Sequence, residues 1–117
     1  MTRSQAIEQI GKELSGAKRA KEVGNEGMMR VCARRAAGIA IGWWLGEHQR
    51  EGWGIDAMSR LRAFHLDQSF PDGVRDAAMR LTEKITRQFV SPFPTDPIND
   101  CMVIINHLMN LNNPELQ

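Results

Sequence analysis

The feature that most restricts what this chain can fold into is the stretch Ala36-Ala-Gly-Ile-Ala-Ile-Gly-Trp-Trp-Leu45, which carries no charged side chain and no polar one beyond the two indole N–H groups. A helix apolar on every side has to be enclosed, by protein or by lipid. Counted through Gly46 the run is eleven residues, well short of the roughly 20 that a membrane-spanning helix requires. The stretch is therefore predicted as the central core helix of a bundle, running from Glu26 to about Arg50 and buried on all sides.

The same helix places Gly38, Gly42 and Gly46 four residues apart, in one row. Each glycine costs about 1 kcal/mol of helix propensity relative to alanine, so three in line predict the close approach of another helix backbone. With Trp43 and Trp44 they form the candidate packing or dimer interface. Whether the neighbouring helix belongs to the same chain or to a second subunit is open at this level.

The remaining segments also read as helices. From Ser4 to Val23, Ile7, Ile10, Leu14, Ala17 and Lys21 follow three- and four-residue spacings. Gly24 is placed to close that helix, and Asn25 to cap the next. A short helix is predicted from Ile55 to Leu66 with Ile55, Met58, Leu61 and Phe64 inward. Ser69 or Asp72 is then positioned to cap a helix carrying Val74, Ala77, Ala78, Leu81, Ile85 and Phe89, with Pro71 in its first turn. A proline-rich connector from Ser91 to Pro97 precedes a last helix that starts at Thr95 or Asp96 and carries Ile98, Cys101, Met102, Ile105, Leu108 and Met109. Asn110 to Pro114 ends it. No segment alternates as a strand would. The expected fold is all-α: an up-and-down four- to five-helix bundle forming one domain over residues 1–117.

Composition narrows the function classes. The 15 Lys and Arg against 14 Asp and Glu leave +1, short of the basic excess of a dedicated nucleic-acid binder. The charge is graded, from +4 over residues 1–35 through 0 over 36–89 to −3 over 90–117, which would favour contact between the first and last helices or between subunits. Cys32 and Cys101 lie far apart without a CxxC neighbour, so both read as small buried hydrophobes. The N-terminus lacks the apolar core of a signal peptide, and a cytoplasmic location without membrane contact is expected.

Several side chains carry possible chemistry. Arg60 and His65 form Arg-x4-His, a pairing in which a guanidinium neutralises a phosphate and an imidazole moves a proton. On a straight helix, however, five residues turn the two about 140° apart. Arg30, Arg34 and Arg35 form a basic cluster able to grip a phosphate or nucleotide, while Glu26 stands four residues before Arg30, placed for a helix ion pair. His48 and His107 do not have metal-ligand spacing, and no metal or cofactor is expected.

The stretch Ala17-Lys-Arg-Ala-Lys-Glu-Val-Gly-Asn-Glu-Gly-Met-Met-Arg-Val-Cys-Ala-Arg-Arg-Ala-Ala-Gly-Ile-Ala-Ile41 resembles the first helical hairpin of HEPN domains, in which a charged helix ends at a Gly-Asn turn and leads into an Ala-rich helix containing Arg-Ala-Ala. The likeness is clearest over residues 10–50. It implies a four- or five-helix bundle and homodimerisation. It also implies one of two activities: ribonuclease chemistry at Arg-x(4 to 6)-His, or a non-catalytic role in nucleotide binding or interaction. Arg60 to His65 is the only match to that motif, and Leu61 follows the arginine where active members usually carry a polar residue. The leading expectation is a non-catalytic homodimeric interaction module that binds a macromolecular partner or nucleotide. The alternative is a metal-independent, toxin-like ribonuclease using Arg60 and His65.

Overall fold

The structure, a computed structural model, describes residues 1–83 and 96–110. These form five α-helices, α1 (Arg3–Glu22), α2 (Glu26–Leu45), α3 (Ala57–Leu66), α4 (Asp72–Thr82) and α5 (Pro97–Met109), and no strand. Each helix packs on the next in the chain, and α2 touches all four others. The fold is an all-helical bundle with α2 at its centre.

Local chemistry sets the boundaries. Thr2 opens α1 with a capping box, its hydroxyl accepting from Gln5 N while the Gln5 side chain accepts from Thr2 N. Gly24 turns the chain at φ +75°, and the Asn25 side chain accepts from Met28 N to start α2. Asp56 caps α3 by accepting from Ser59 N, and Asp96 caps α5 ahead of Pro97 in its first turn.

The core is built from the inward stripes. Ile10, Leu14, Ile41, Leu61, Phe64, Leu81, Ile104 and Ile105 are buried, each contributing about 1.5–3 kcal/mol relative to an exposed position. Buried Ala33, Ala36, Ala37 and Ala40 keep α2 slender enough for four neighbours to reach it. A half-buried ion pair ties α4 to α5: both Nε and Nη2 of Arg80 on α4 donate to Asp100 Oδ1 on α5, at 3.1 and 3.0 Å.

Several expectations are corrected. Helix α2 stops at Leu45 rather than near Arg50, and its Ile39, Trp43, Trp44 and Leu45 are half-exposed, so only the middle of the helix is fully enclosed. Ile55 is not a core residue of α3. Gly54 at φ +73° and the Asp56 cap hold it outside the helix, 89% exposed. Lys21 leaves the α1 stripe for solvent and pairs loosely with Asp96; Ala20 is buried in that turn instead. Neither Ser69 nor Asp72 caps α4: Pro71 occupies the cap position, and the Ser69 N–H and hydroxyl both donate to Asp67. The expectations at Ile85 and Phe89, for the connector through Thr95 and for a terminator from residue 111 onward lie outside the described residues.

Candidate functional site

The glycine row is divided between two environments. A Cβ on Gly38 would lie 2.9 Å from Ala57 Cβ and 3.0 Å from Ala57 Cα, so the start of α3 rides directly on α2 at that point. Gly42 makes room for the Arg60 guanidinium. Both positions are thus filled from within the chain. Gly46 follows the last turn of α2, is exposed, and lines no helix contact. Of the two tryptophans beside the row, Trp44 belongs to an aromatic cluster, stacked on His48 with ring centroids 4.5 Å apart and packed against Trp53 and Phe70. Trp43 takes the Arg3 guanidinium 5.9 Å from its ring centroid.

The Arg60 and His65 side chains are engaged by different parts of the bundle. Arg60 Nη1 donates to Gly38 O at 3.3 Å and Nε to Gly54 O at 3.4 Å, pinning the guanidinium between α2 and the preceding turn. His65 Nδ1 lies 3.2 Å from Arg75 O, so the tautomer protonated there donates to α4. Arg75 Nε in turn donates to His65 O at 2.7 Å. These bonds lock α3 to its two neighbours and direct the two groups to separate partners.

The basic cluster on α2 is partly structural. Arg30 Nη1 donates to Arg80 O, Arg34 Nε to Leu81 O, and Arg34 Nη2 to Glu83 O. These carbonyls lie at the end of α4, where helix geometry leaves acceptors short of intrahelical donors; Arg80 O also accepts from the Glu83 N–H that closes the helix. Burial, then the like charges of Arg30 and Arg62, pull the Arg34 guanidinium below its ordinary value. Arg35 is exposed and turns to another surface. Among the described residues, Arg30, Arg34, Arg35, Arg60 and Arg62 make no ion pair.

That other surface is a groove of about 240 Å³ between α1, α2 and the start of α3. Gly38, Ile39 and Ala57 line its apolar part, Ile55 stands at its edge, and Glu13, Arg35 and Arg60 supply its charges. Sequence reasoning missed Glu13, Ile39, Ile55, Ala57 and Arg62. Only the spacing Asp56-x-x-Ser59, a helix-start signature, was available to place Ile55 in the turn, and the remaining neighbours come together through tertiary packing alone.

Among the described residues no three His, Cys, Asp or Glu side chains are grouped to hold a metal. No helix described is long and apolar enough to cross a membrane. The chain matches no protein-family model, no curated protein and no solved structure.

Proposed function

We propose that this chain is a non-catalytic binding module, a HEPN-like helical bundle that engages a macromolecular partner or nucleotide through arginines of α2 and α3. The observation that carries the non-catalytic part is the separate engagement of Arg60 and His65: one guanidinium held on Gly38 and Gly54 carbonyls, one imidazole held on α4. General acid–base chemistry on a phosphodiester needs both groups within hydrogen-bond reach of one reacting centre. The binding part is supported by the arginines without carboxylate partners, since guanidinium forks match phosphate and carboxylate oxygens in pairs.

Homodimerisation and a cytoplasmic location belong to the same reading. Because α3 already fills Gly38 and Gly42, a second copy would meet a surface other than the glycine row.

Labelled RNA followed in one sample by anisotropy and by gel tests this reading. The expected result is RNA left uncut by the wild-type protein, and likewise by Arg60→Ala and His65→Ala, whether or not the anisotropy shows it bound. Cleavage by the wild type that either substitution abolishes would overturn the non-catalytic reading.

A further inference from the structure

The groove between α1, α2 and the start of α3, which takes in Arg35 and Arg60 of that arginine set, combines three properties. It is small, about 240 Å³, just below the roughly 300 Å³ at which sites for drug-sized molecules begin. Gly38, Ile39, Ile55 and Ala57 give it apolar surface. It also contains charges of both signs, Glu13 on α1 against Arg35 on α2 and Arg60 on α3, with no ion pair between them.

Opposite charges beside a shared apolar surface favour a ligand that satisfies both at once. A simple anion would meet Glu13, and a simple cation would meet two arginines. A zwitterion with an apolar side chain meets neither conflict. We propose that this groove binds a free apolar α-amino acid of about the size of leucine. Its carboxylate is taken by the guanidinium groups of Arg35 and Arg60, which both line the groove. Its ammonium is taken by Glu13, and its side chain rests against Ile39, Ala57 and Ile55.

The groove is also held in shape before any ligand arrives. Arg60 is fixed by two backbone carbonyls, and the contact of Gly38 with Ala57 sets the separation of α2 and α3. Asp56, with hydrogen bonds from both the N–H and the hydroxyl of Ser59, fixes the turn that carries Ile55. Binding to a preformed site loses less free energy to ordering.

Calorimetric titration of the full chain with leucine tests the assignment, using leucinamide and N-acetyl-leucine as probes that each lack one charge. Leucine is expected to bind, with both derivatives at least about tenfold weaker, the loss of one charge-assisted hydrogen-bonding group. Glu13→Gln and Arg35→Gln are each expected to weaken leucine by a similar factor, with thermal melting of the free variants reporting that they still fold. A Lys21→Gln control, altered at a residue paired with Asp96 away from the groove, should bind as the wild type does. Absence of leucine binding at millimolar concentration overturns the proposal. So does binding of N-acetyl-leucine as tight as that of leucine, which would mark a peptide C-terminus as the occupant. Leucine affinity unchanged in both folded variants also overturns it.

Discussion

Gly38 and Gly42 look equivalent in the sequence, yet their substitutions should differ. An alanine at 38 meets the backbone and Cβ of Ala57, and backbone does not move aside cheaply. Overpacking of about 1–3 kcal/mol is offset by roughly 1 kcal/mol of helix propensity, leaving a net loss. Gly38→Ala is expected to lower Tm by about 4 °C per kcal/mol lost, between the values for smaller and larger domains. At Gly42 the obstruction is the far end of Arg60, which can move aside by giving up its bonds to the Gly38 and Gly54 carbonyls, so Gly42→Ala should cost less than Gly38→Ala, about 1 kcal/mol once the gain in helix propensity is counted. Differential scanning calorimetry of the two variants checks the order. Asp100 allows a second test. It is 3% exposed and holds Arg80, which is one-third exposed at its side chain. Removing one partner of a fully buried pair costs about 3–5 kcal/mol, but Arg80 retains access to water, so Asp100→Ala is expected to cost about 2 kcal/mol, below that range. Urea unfolding measures it. Cys101 offers a third. Burial, then the neighbouring Asp100 and Asp96 carboxylates, push its thiol up to about 12. Since the thiolate is the reactive form, Cys101 should resist alkylation at pH 8 in the folded protein and become reactive in denaturant, as mass spectrometry of the labelled site would report.

Among the elements, α3 depends most on its ends. Its cap, Asp56, is held below its ordinary carboxylate value by hydrogen bonds from the Ser59 N–H and then the Ser59 hydroxyl. A carboxylate with a depressed folded value contributes stability that is present above its unfolded value of about 3.9 and is lost as pH falls through the folded value. The α3 start should therefore loosen below about pH 4, and Asp56→Asn, which caps without titrating, should flatten that part of the acid unfolding curve followed by circular dichroism. Helix α4 is secured differently, by Arg34 donating to Leu81 O and Glu83 O across the bundle. Charge-assisted bonds of this kind contribute about 1.5–3 kcal/mol. The capping signals of α2 and α5 were readable because Asn25 and Asp96 act on neighbours two or three residues away. Arg34 was read as a ligand-gripping residue because its acceptors lie 47 and 49 residues away in sequence, a distance over which spacing carries no information.

At the scale of the molecule, helix content and order followed from apolar periodicity, because each stripe had one enclosed face to find. The groove did not, since Glu13, Arg35 and Ile55 come from three separate segments and meet only when α3 seats on α2. Of the charge gradient along the chain, the described residues show a single ion pair between the first and last helices. Lys21 on α1 pairs with Asp96 at the start of α5, and Arg3 donates to Met109 O at its end. Both members of the Lys21–Asp96 pair are largely exposed, so it contributes no more than about 1 kcal/mol. The glycine row bears on how copies of the chain relate to one another. Were Gly38 part of a subunit seam, Gly38→Ala would separate the copies, its effect on melting would grow on dilution, and the sedimentation coefficient would fall. With α3 of the same chain seated at Gly38, the expected outcome is the reverse. The variant should melt earlier by the same interval at every protein concentration while sedimenting as the wild type does, because the damage lies inside each copy.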